Sequence, residues 1–308
     1  MKIFQLEYFI KIAEVGSMNE AAKQLFVSQP NLSKAMKELE KNYHIQLFVR
    51  TKTGITLTDD GREFMNYAKQ ILDQCNLLEE RFTKKAIRKS EFSVSAQHYA
   101  FVVHAFVELI NSINTPEYHY VLRETQTATV IQDVATLKSE IGVIYNNAFN
   151  KEIISKIINE NNLEFIPLFK AYPHVFIGRD NPLAQKKTIT LDDLSHYPFL
   201  SYEQGENNSF YYSEEILSTM MHKKHIQITD RATIFNLMVG LNGYTISSGI
   251  ISSELNDDKI VARPLEVDDF MILGIIKHQK HPLSDVAAHY LSLLKEHIKK
   301  YGFDVFGE

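Results

Sequence analysis

Between Met18 and Glu40 the chain is written as two short helices around a tight turn, and the second helix has two unlike faces. At roughly 100° per residue, Leu32, Ala35, Met36 and Leu39 gather within an arc of about 100°. Gln29, Pro30, Ser33, Lys34 and Lys37 spread over roughly 140° on the other side. That side offers hydrogen-bonding groups, two cations and no carboxylate, which suits the major groove of DNA. Such a pair needs an apolar helix beneath it, and Leu6, Phe9, Ile10 and Ala13 recur at helical spacing to supply one.

The flanking signals agree. Ser17 with Glu20 reads as a capping box for the first helix. Ser28 reads as the N-cap of the second, with Pro30 in the first turn, where no N–H is needed. Leu47-Phe48-Val49-Arg50 and Gly54-Ile55-Thr56-Leu57 flank Thr51-Lys52-Thr53 as a short hairpin, and Gly54 can take a left-handed backbone. Three helices and a hairpin predict a winged helix-turn-helix over residues 1–58. The candidate DNA contacts are Ser28, Gln29, Pro30, Asn31, Ser33, Lys34 and Lys37 on the helix, with Arg50 and Lys52 on the wing. Gln29 suits adenine edges and Pro30 a thymine methyl, Ser33 and Lys34 reach base or backbone, and the wing cations grip phosphate.

These residues closely resemble the LysR-type transcriptional regulators. The likeness is carried by Ala21-Ala22, by Val27-Ser28-Gln29-Pro30-Asn31-Leu32-Ser33, by Leu39-Glu40, by Leu47 to Arg50, and by Leu57-Thr58-Asp59-Asp60-Gly61. It is dense over residues 1–65 and rests on length and element order beyond. The resemblance implies a DNA-binding domain, a long linker helix, a two-lobed effector-binding domain, and dimers that usually pair again into tetramers.

A net charge of −5 looks wrong for a DNA partner until it is divided along the chain. Residues 1–58 hold eight Lys/Arg against five Asp/Glu, net +3, and the rest carries −8. The cationic excess sits where phosphate contacts are expected. One cysteine in 308 residues excludes an internal disulfide framework. With no long apolar run and no signal-like start, a cytoplasmic protein is expected, away from membranes.

Thr58 reads as the cap of a helix from Asp59 to about Lys84, roughly 39 Å long. Along it Phe64, Ala68, Ile71, Cys75, Leu78 and Phe82 alternate steps of four and three, the period of a coiled-coil seam. The expected partner is the same helix of a second copy, the alternative being a helix that packs within its own chain. Residues 59–89 thus form the linker helix and a basic hinge.

From residue 90 strands and helices alternate. Strands are expected at Phe92–Ser95, Tyr118–Glu124 and Ile141–Tyr145, with helices over Phe101–Ile113 and Thr129–Lys138. That order predicts a parallel sheet flanked by helices. A second α/β unit has strands at His174–Ile177, Phe199–Ser201, His225–Thr229 and Tyr244–Ser247, and helices near 211–221 and 232–239. Met271–Ile276 returns to the first sheet and Leu283–Lys300 packs as its last helix. The expected fold is α/β and periplasmic-binding-protein-like: lobe I over 90–168 and 271–308, lobe II over 169–270.

Ligands of open sheets gather beyond the C-terminal strand ends, near helix N-termini. That rule selects Ser95, Gln97, His98, Tyr99, Thr125, Gln126, Thr127 and Tyr145 from lobe I. From lobe II it selects Ser201, Tyr202, Arg231, Thr233 and Thr245, with Glu124 or Asp230 available to an ammonium group. Hydroxyls and amides of this kind favour a small zwitterion or carboxylate. No metal or cofactor set is evident, and the twelve histidines are scattered.

Ser95 to Tyr99, Ser139 to Tyr145, Tyr211-Tyr212-Ser213-Glu214 and Thr229 to Thr233 also look like a Gram-positive branch of the family associated with cysteine and methionine genes. That likeness implies an effector such as O-acetylserine. The competing readings are an enzyme or a solute-binding receptor with an appended helix-turn-helix. Against the enzyme stand the lack of a Gly-x-Ser-x-Gly elbow, a phosphate loop, a His-Glu-x-x-His pair or a cysteine cluster. Against the receptor stands the need for export.

Overall fold

Helix α1 (Ile3–Val15) is apolar on one side because Leu6, Phe9 and Ile12 fall on one stripe, and all three are fully buried. Helices α2 (Met18–Gln24) and α3 (Gln29–Tyr43) close over that stripe with Ala21, Ala22, Leu32, Ala35, Met36 and Leu39. The Ser17 hydroxyl accepts from the Glu20 N–H at 3.4 Å, one half of the expected capping box. The Glu20 carboxylate turns instead to Lys23. Strands β1 (Phe48–Thr51) and β2 (Gly54–Leu57) pair antiparallel, Thr51 opposite Gly54, as the expected wing. Gly54 has φ 137°, and a Cβ there would meet the Gly16 carbonyl oxygen at 2.6 Å. Only glycine fits that turn.

Helix α4 (Asp59–Thr83) starts where Thr58 Oγ1 accepts from the Gly61 N–H at 2.8 Å and donates to the Gln46 carbonyl at 2.5 Å. At 25 residues it is roughly 37 Å long.

The computed structural model describes residues 1–51, 54–83, 90–251 and 259–307. It separates into two units, Met1–Arg88 and Lys89–Glu308.

In the second unit, lobe I is a five-stranded sheet of β3 (Ser90–Ala96), β4 (Tyr118–Glu124), β5 (Ile141–Asn146), β6 (Leu163–Ala171) and β12 (Met271–His278). Its spatial order is β4-β3-β5-β12-β6. The first three strands run parallel, as expected, but β12 is antiparallel to both β5 and β6, so the sheet is mixed. Helices α5 (Ala100–Ser112) and α10 (Asp285–Lys300) cover one face, where Val143 and Tyr145 meet Phe101 and Tyr290. Helices α6 (Thr127–Ala135) and α7 (Lys151–Glu160) cover the other, where Ile144 meets Val130 and Ile154. Neighbouring β5 residues thus serve opposite faces, the two-residue alternation of a strand. Strand β6 runs to Ala171, so the crossing to lobe II comes three residues later than the expected one at 168.

Lobe II holds β7 (His174–Gly178), β8 (Phe199–Tyr202), β9 (His225–Ile228), β10 (Tyr244–Ser247) and β11 (Ile260–Pro264), in the order β11-β7-β10-β8-β9. Helices α8 (Leu191–Leu194) and α9 (Arg231–Leu241) complete it. The helix expected near 211–221 is not there. Residues Phe210–Tyr212 make one 3-10 turn, and Leu217 has φ 62°, which breaks any helix through it. The adjoining acids Glu214 and Glu215 are buried instead.

Candidate functional site

Helix α3 presents its polar side to solvent. Ser28 Oγ accepts from the Asn31 N–H at 3.4 Å and fixes the first turn. Pro30, Asn31, Lys34 and Lys37 are exposed, while Gln29 and Ser33 are half-buried. Gln29, Pro30, Ser33, Lys34 and Lys37 line one open groove, which continues to Glu38 and Lys41. The surface therefore does carry one carboxylate, at its far end and between lysines. Lys52 lies outside the described residues, as do the side chains of Arg50 and Phe82.

The seam expected along α4 divides. Phe64 packs edge-on against Phe9 at 5.2 Å and against Tyr43 at 5.6 Å, and Ala68 is buried in the same core. Those two residues belong to the fold of their own unit because α1 lies against the N-terminal half of α4. Beyond them Tyr67, Ile71 and Leu78 are exposed, Leu78 by 63%, with Cys75 half-buried.

Between lobes I and II a polar network closes the cleft. Gln97 Nε2 donates to Thr127 Oγ1 at 2.6 Å, and Gln97 Oε1 accepts from the Tyr145 N–H at 2.9 Å and the Tyr99 hydroxyl at 3.2 Å. From lobe II the segment 203–215 folds into this network. Gln204 Oε1 accepts from the Thr127 N–H at 3.1 Å, and Gln204 Nε2 donates to Glu214 Oε1 at 3.1 Å. Glu214 also accepts from the His98 N–H at 2.9 Å and lies 2.9 Å from His98 Nδ1. Glu215 accepts from the Tyr202 N–H at 2.9 Å. The His98 and Tyr202 rings stack at 3.9 Å.

Charge here is concentrated and poorly hydrated. Burial alone would lower the His98 imidazole, but the Glu214 carboxylate overrides it, and the net direction is up. Burial, then the Glu214 charge, push the Glu215 carboxyl well above the usual carboxylate range. Burial raises Glu124 against the opposing pull of Arg231. Arg231 Nε and Glu124 Oε1 are 3.0 Å apart as an ion pair, yet neither atom makes a hydrogen bond. Thr245 Oγ1 and Ser248 Oγ are likewise buried without a partner.

The structure gathers His98, Tyr99, Tyr202, Arg231 and Thr245 around one cavity of about 20 Å³, with Gln97, Thr127 and Tyr145 bonded behind it. Thr125 donates its N–H to the Ala96 carbonyl, and the Gln126 amide lies against Gly205. Three expected residues are elsewhere. Ser95 bonds Asp133 and Ser139 inside lobe I, Ser201 bonds His225 Nε2 at 2.7 Å, and the Thr233 N–H is held by Asp230 at the start of α9. Gln204, Glu214, Glu215, Phe176 and Phe235 join the cleft without being selected by the strand-end rule. The two glutamates and Gln204 arrive on a segment with no strand or long helix to announce them.

Two family models match the chain: the bacterial regulatory helix-turn-helix protein of the lysR family over residues 3–62, and the LysR substrate binding domain over residues 113–299. YvbU of Bacillus subtilis, an uncharacterized HTH-type transcriptional regulator, is 23% identical over 305 residues, covering 96% of this chain and 98% of its own. A mutant of OxyR from Corynebacterium glutamicum aligns over 97% of this chain and 94% of its own, with a TM-score of 0.53 at 18% identity. Full-length CbnR, solved with its target DNA, aligns over 96% of this chain and 100% of its own, with a TM-score of 0.50 at 19% identity. At those identities the likeness is one of fold. The matched regions take in the exposed recognition helix and most of the cleft, and the chain belongs to the LysR family of DNA-binding transcription regulators, with no enzymatic role.

Proposed function

We propose that this regulator is switched by a small zwitterion held between Arg231 and the acidic side of the cleft. The observation that carries the reading is the half-buried Arg231–Glu124 ion pair beside a cavity whose lining includes Thr245 Oγ1, a buried hydroxyl without a hydrogen-bond partner. A buried hydroxyl without a partner is unfavourable, and a ligand carrying both charges would satisfy Thr245 while replacing the Arg231–Glu124 contact with one to each of its own charges. Its carboxylate would take Arg231 and Thr245, and its ammonium group Glu124 and Glu214. A cavity of about 20 Å³ holds one water, so binding requires Gln204 and Glu214 to give way. Their displacement is how occupancy would be felt beyond the cleft. Amino acids of sulfur metabolism and their precursors, O-acetylserine among them, are the first class to try.

Promoter DNA is the other partner, read by Gln29, Pro30, Ser33 and Lys34 from α3, with Ser28 and Asn31 at its start and Lys37, Arg50 and Lys52 on phosphate. CbnR, similar in fold, was solved on its target DNA. A homodimer joined along α4, pairing again into a tetramer in the cytoplasm, completes the proposal.

A thermal-shift screen of amino acids and their O-acetylated forms tests the effector. At one hundred times its Kd a ligand adds about 2.7 kcal/mol to stability. Arg231→Gln should abolish the shift given by the best compound. Binding that survives Arg231→Gln, or a screen in which uncharged compounds alone raise Tm, overturns the zwitterion. For the DNA half, Lys34→Ala or Gln29→Ala should weaken promoter-fragment binding roughly tenfold, with the solution mass unchanged.

A further inference from the structure

A second cluster lies away from the cleft, on the face of lobe I where α5 packs against α10. His104 and Glu108 are four residues apart on α5 and so share one side of that helix. His104 Nε2 is 3.4 Å from Glu108 Oε1. From α10, His297 lays its ring on that of His104, centroids 3.9 Å apart and planes within 19°. One nitrogen or oxygen from each of the three residues lies within 4.8 Å of the others.

His297 makes this more than a packing contact. It is 2% exposed, and neither of its ring nitrogens has a hydrogen-bond partner. Stacking on His104 and contact with Tyr301 at 5.0 Å occupy the faces of the ring and leave the two nitrogens without a role. A buried imidazole that bonds nothing calls for a physical reason.

We propose that His104, Glu108 and His297 bind a divalent transition-metal ion of the zinc class, clamping α10 to α5. Two imidazole nitrogens and one carboxylate form a three-ligand set that leaves a fourth position open. The two nitrogens select zinc, cobalt, nickel or copper over magnesium or calcium. Ligation takes a neutral ring nitrogen, and His297 has two without a partner to offer. Zinc bonds are about 2.0–2.1 Å long and hold their donors closer than 4.8 Å. Because an imidazole nitrogen ligates in the plane of its ring, closure needs the stacked His104 and His297 rings to turn out of parallel, with the half-buried Glu108 swinging in to meet them.

One competing charge is present. Lys300 Nζ sits 3.0 Å from Glu108 Oε1, and its side chain is 63% exposed. It can swing into water and hand Glu108 from one cation to another. Removing it should favour the metal.

The test uses the full chain, free of any affinity tag, stripped with chelator and titrated with cobalt chloride. The expected result is visible cobalt absorption that saturates at one equivalent per chain and is displaced by zinc. Zinc should also raise Tm. Glu108→Gln and His104→Gln should each weaken binding at least roughly tenfold, Lys300→Met should tighten it, and His278→Asn should leave it unchanged. Two glutamine variants on one helix guard against a fold defect in either. No cobalt absorption, or equal affinity in parent and both glutamine variants, overturns the site.

Discussion

Glu214 and Glu215 are chain neighbours with different fates. Glu214 is surrounded by donors, the His98 N–H, the His98 ring and the Gln204 amide. Glu215 receives backbone N–H groups, Tyr202 among them, but burial and the Glu214 charge outweigh them, so its carboxyl is raised and keeps its proton to higher pH than in the unfolded chain. His98 is also raised, through Glu214. Both groups bind protons more tightly when folded. Their contributions are thus complete below the unfolded values, near 4.5 and 6.5, and are lost as pH rises through the folded ones. Unfolding of the second unit in urea should show stability falling from about pH 5 to pH 8. Each group can add at most about 1.4 kcal/mol per pH unit while it titrates. Glu215→Gln, whose carbonyl can still accept from Tyr202, should flatten that fall and match or exceed the parent at the alkaline end. Equal slopes in parent and variant would remove Glu215 from the account.

At the scale of elements, the turn between α2 and α3 contains an avoidable strain. Phe26 has φ 55° and is 95% exposed, so its side chain gains little from the protein while its backbone sits in the left-handed region. The steric cost there is about 1–2 kcal/mol, part of which glycine gives back through a freer unfolded chain. Phe26→Gly should stabilise the first unit by roughly 0.5–1 kcal/mol, read by thermal melting. The exposed stripe of α4 gives a second expectation. Leu78→Glu or Ile71→Glu should shift the protein toward monomer in sedimentation velocity, whereas Ala68→Glu should unfold the unit that buries Ala68. Helices α1 to α4 are legible in the sequence because their caps and apolar spacing are local properties. The same periodicity misled over the seam, since Phe64 and Ala68 continue the stripe of Leu78 while packing into a different core. A helix over 211–221 had a plausible pattern, but tertiary contacts of Glu214 and Glu215 outweighed it. The strand-end rule placed His98, Tyr99, Tyr202, Arg231 and Thr245 at the cleft, because it depends only on sheet geometry. It could not find Gln204 or Glu215, which reach the cleft on an irregular segment.

The molecule as a whole is acidic, yet its DNA reader carries an excess of only three positive charges within residues 1–58. A single copy can neutralise few phosphates, and for B-DNA the logarithm of affinity falls with the logarithm of salt at a slope of about −0.9 per phosphate neutralised. Two readers joined through α4, as proposed, would double the number of contacts without changing either reader. Breaking the pair should therefore alter the salt dependence itself as well as the affinity. In Leu78→Glu, fluorescence anisotropy on a promoter fragment between roughly 50 and 200 mM salt should give about half the parental slope. Lys37→Ala should lower the slope only by about one contact per reader. Effector-dependent shifts in Tm should survive Leu78→Glu, because the cleft lies wholly within the second unit, and that response distinguishes a separated dimer from a misfolded chain. An unchanged slope in a proven monomer would mean that one reader makes all the phosphate contacts, and the proposed pairing along α4 would then have no part in holding DNA.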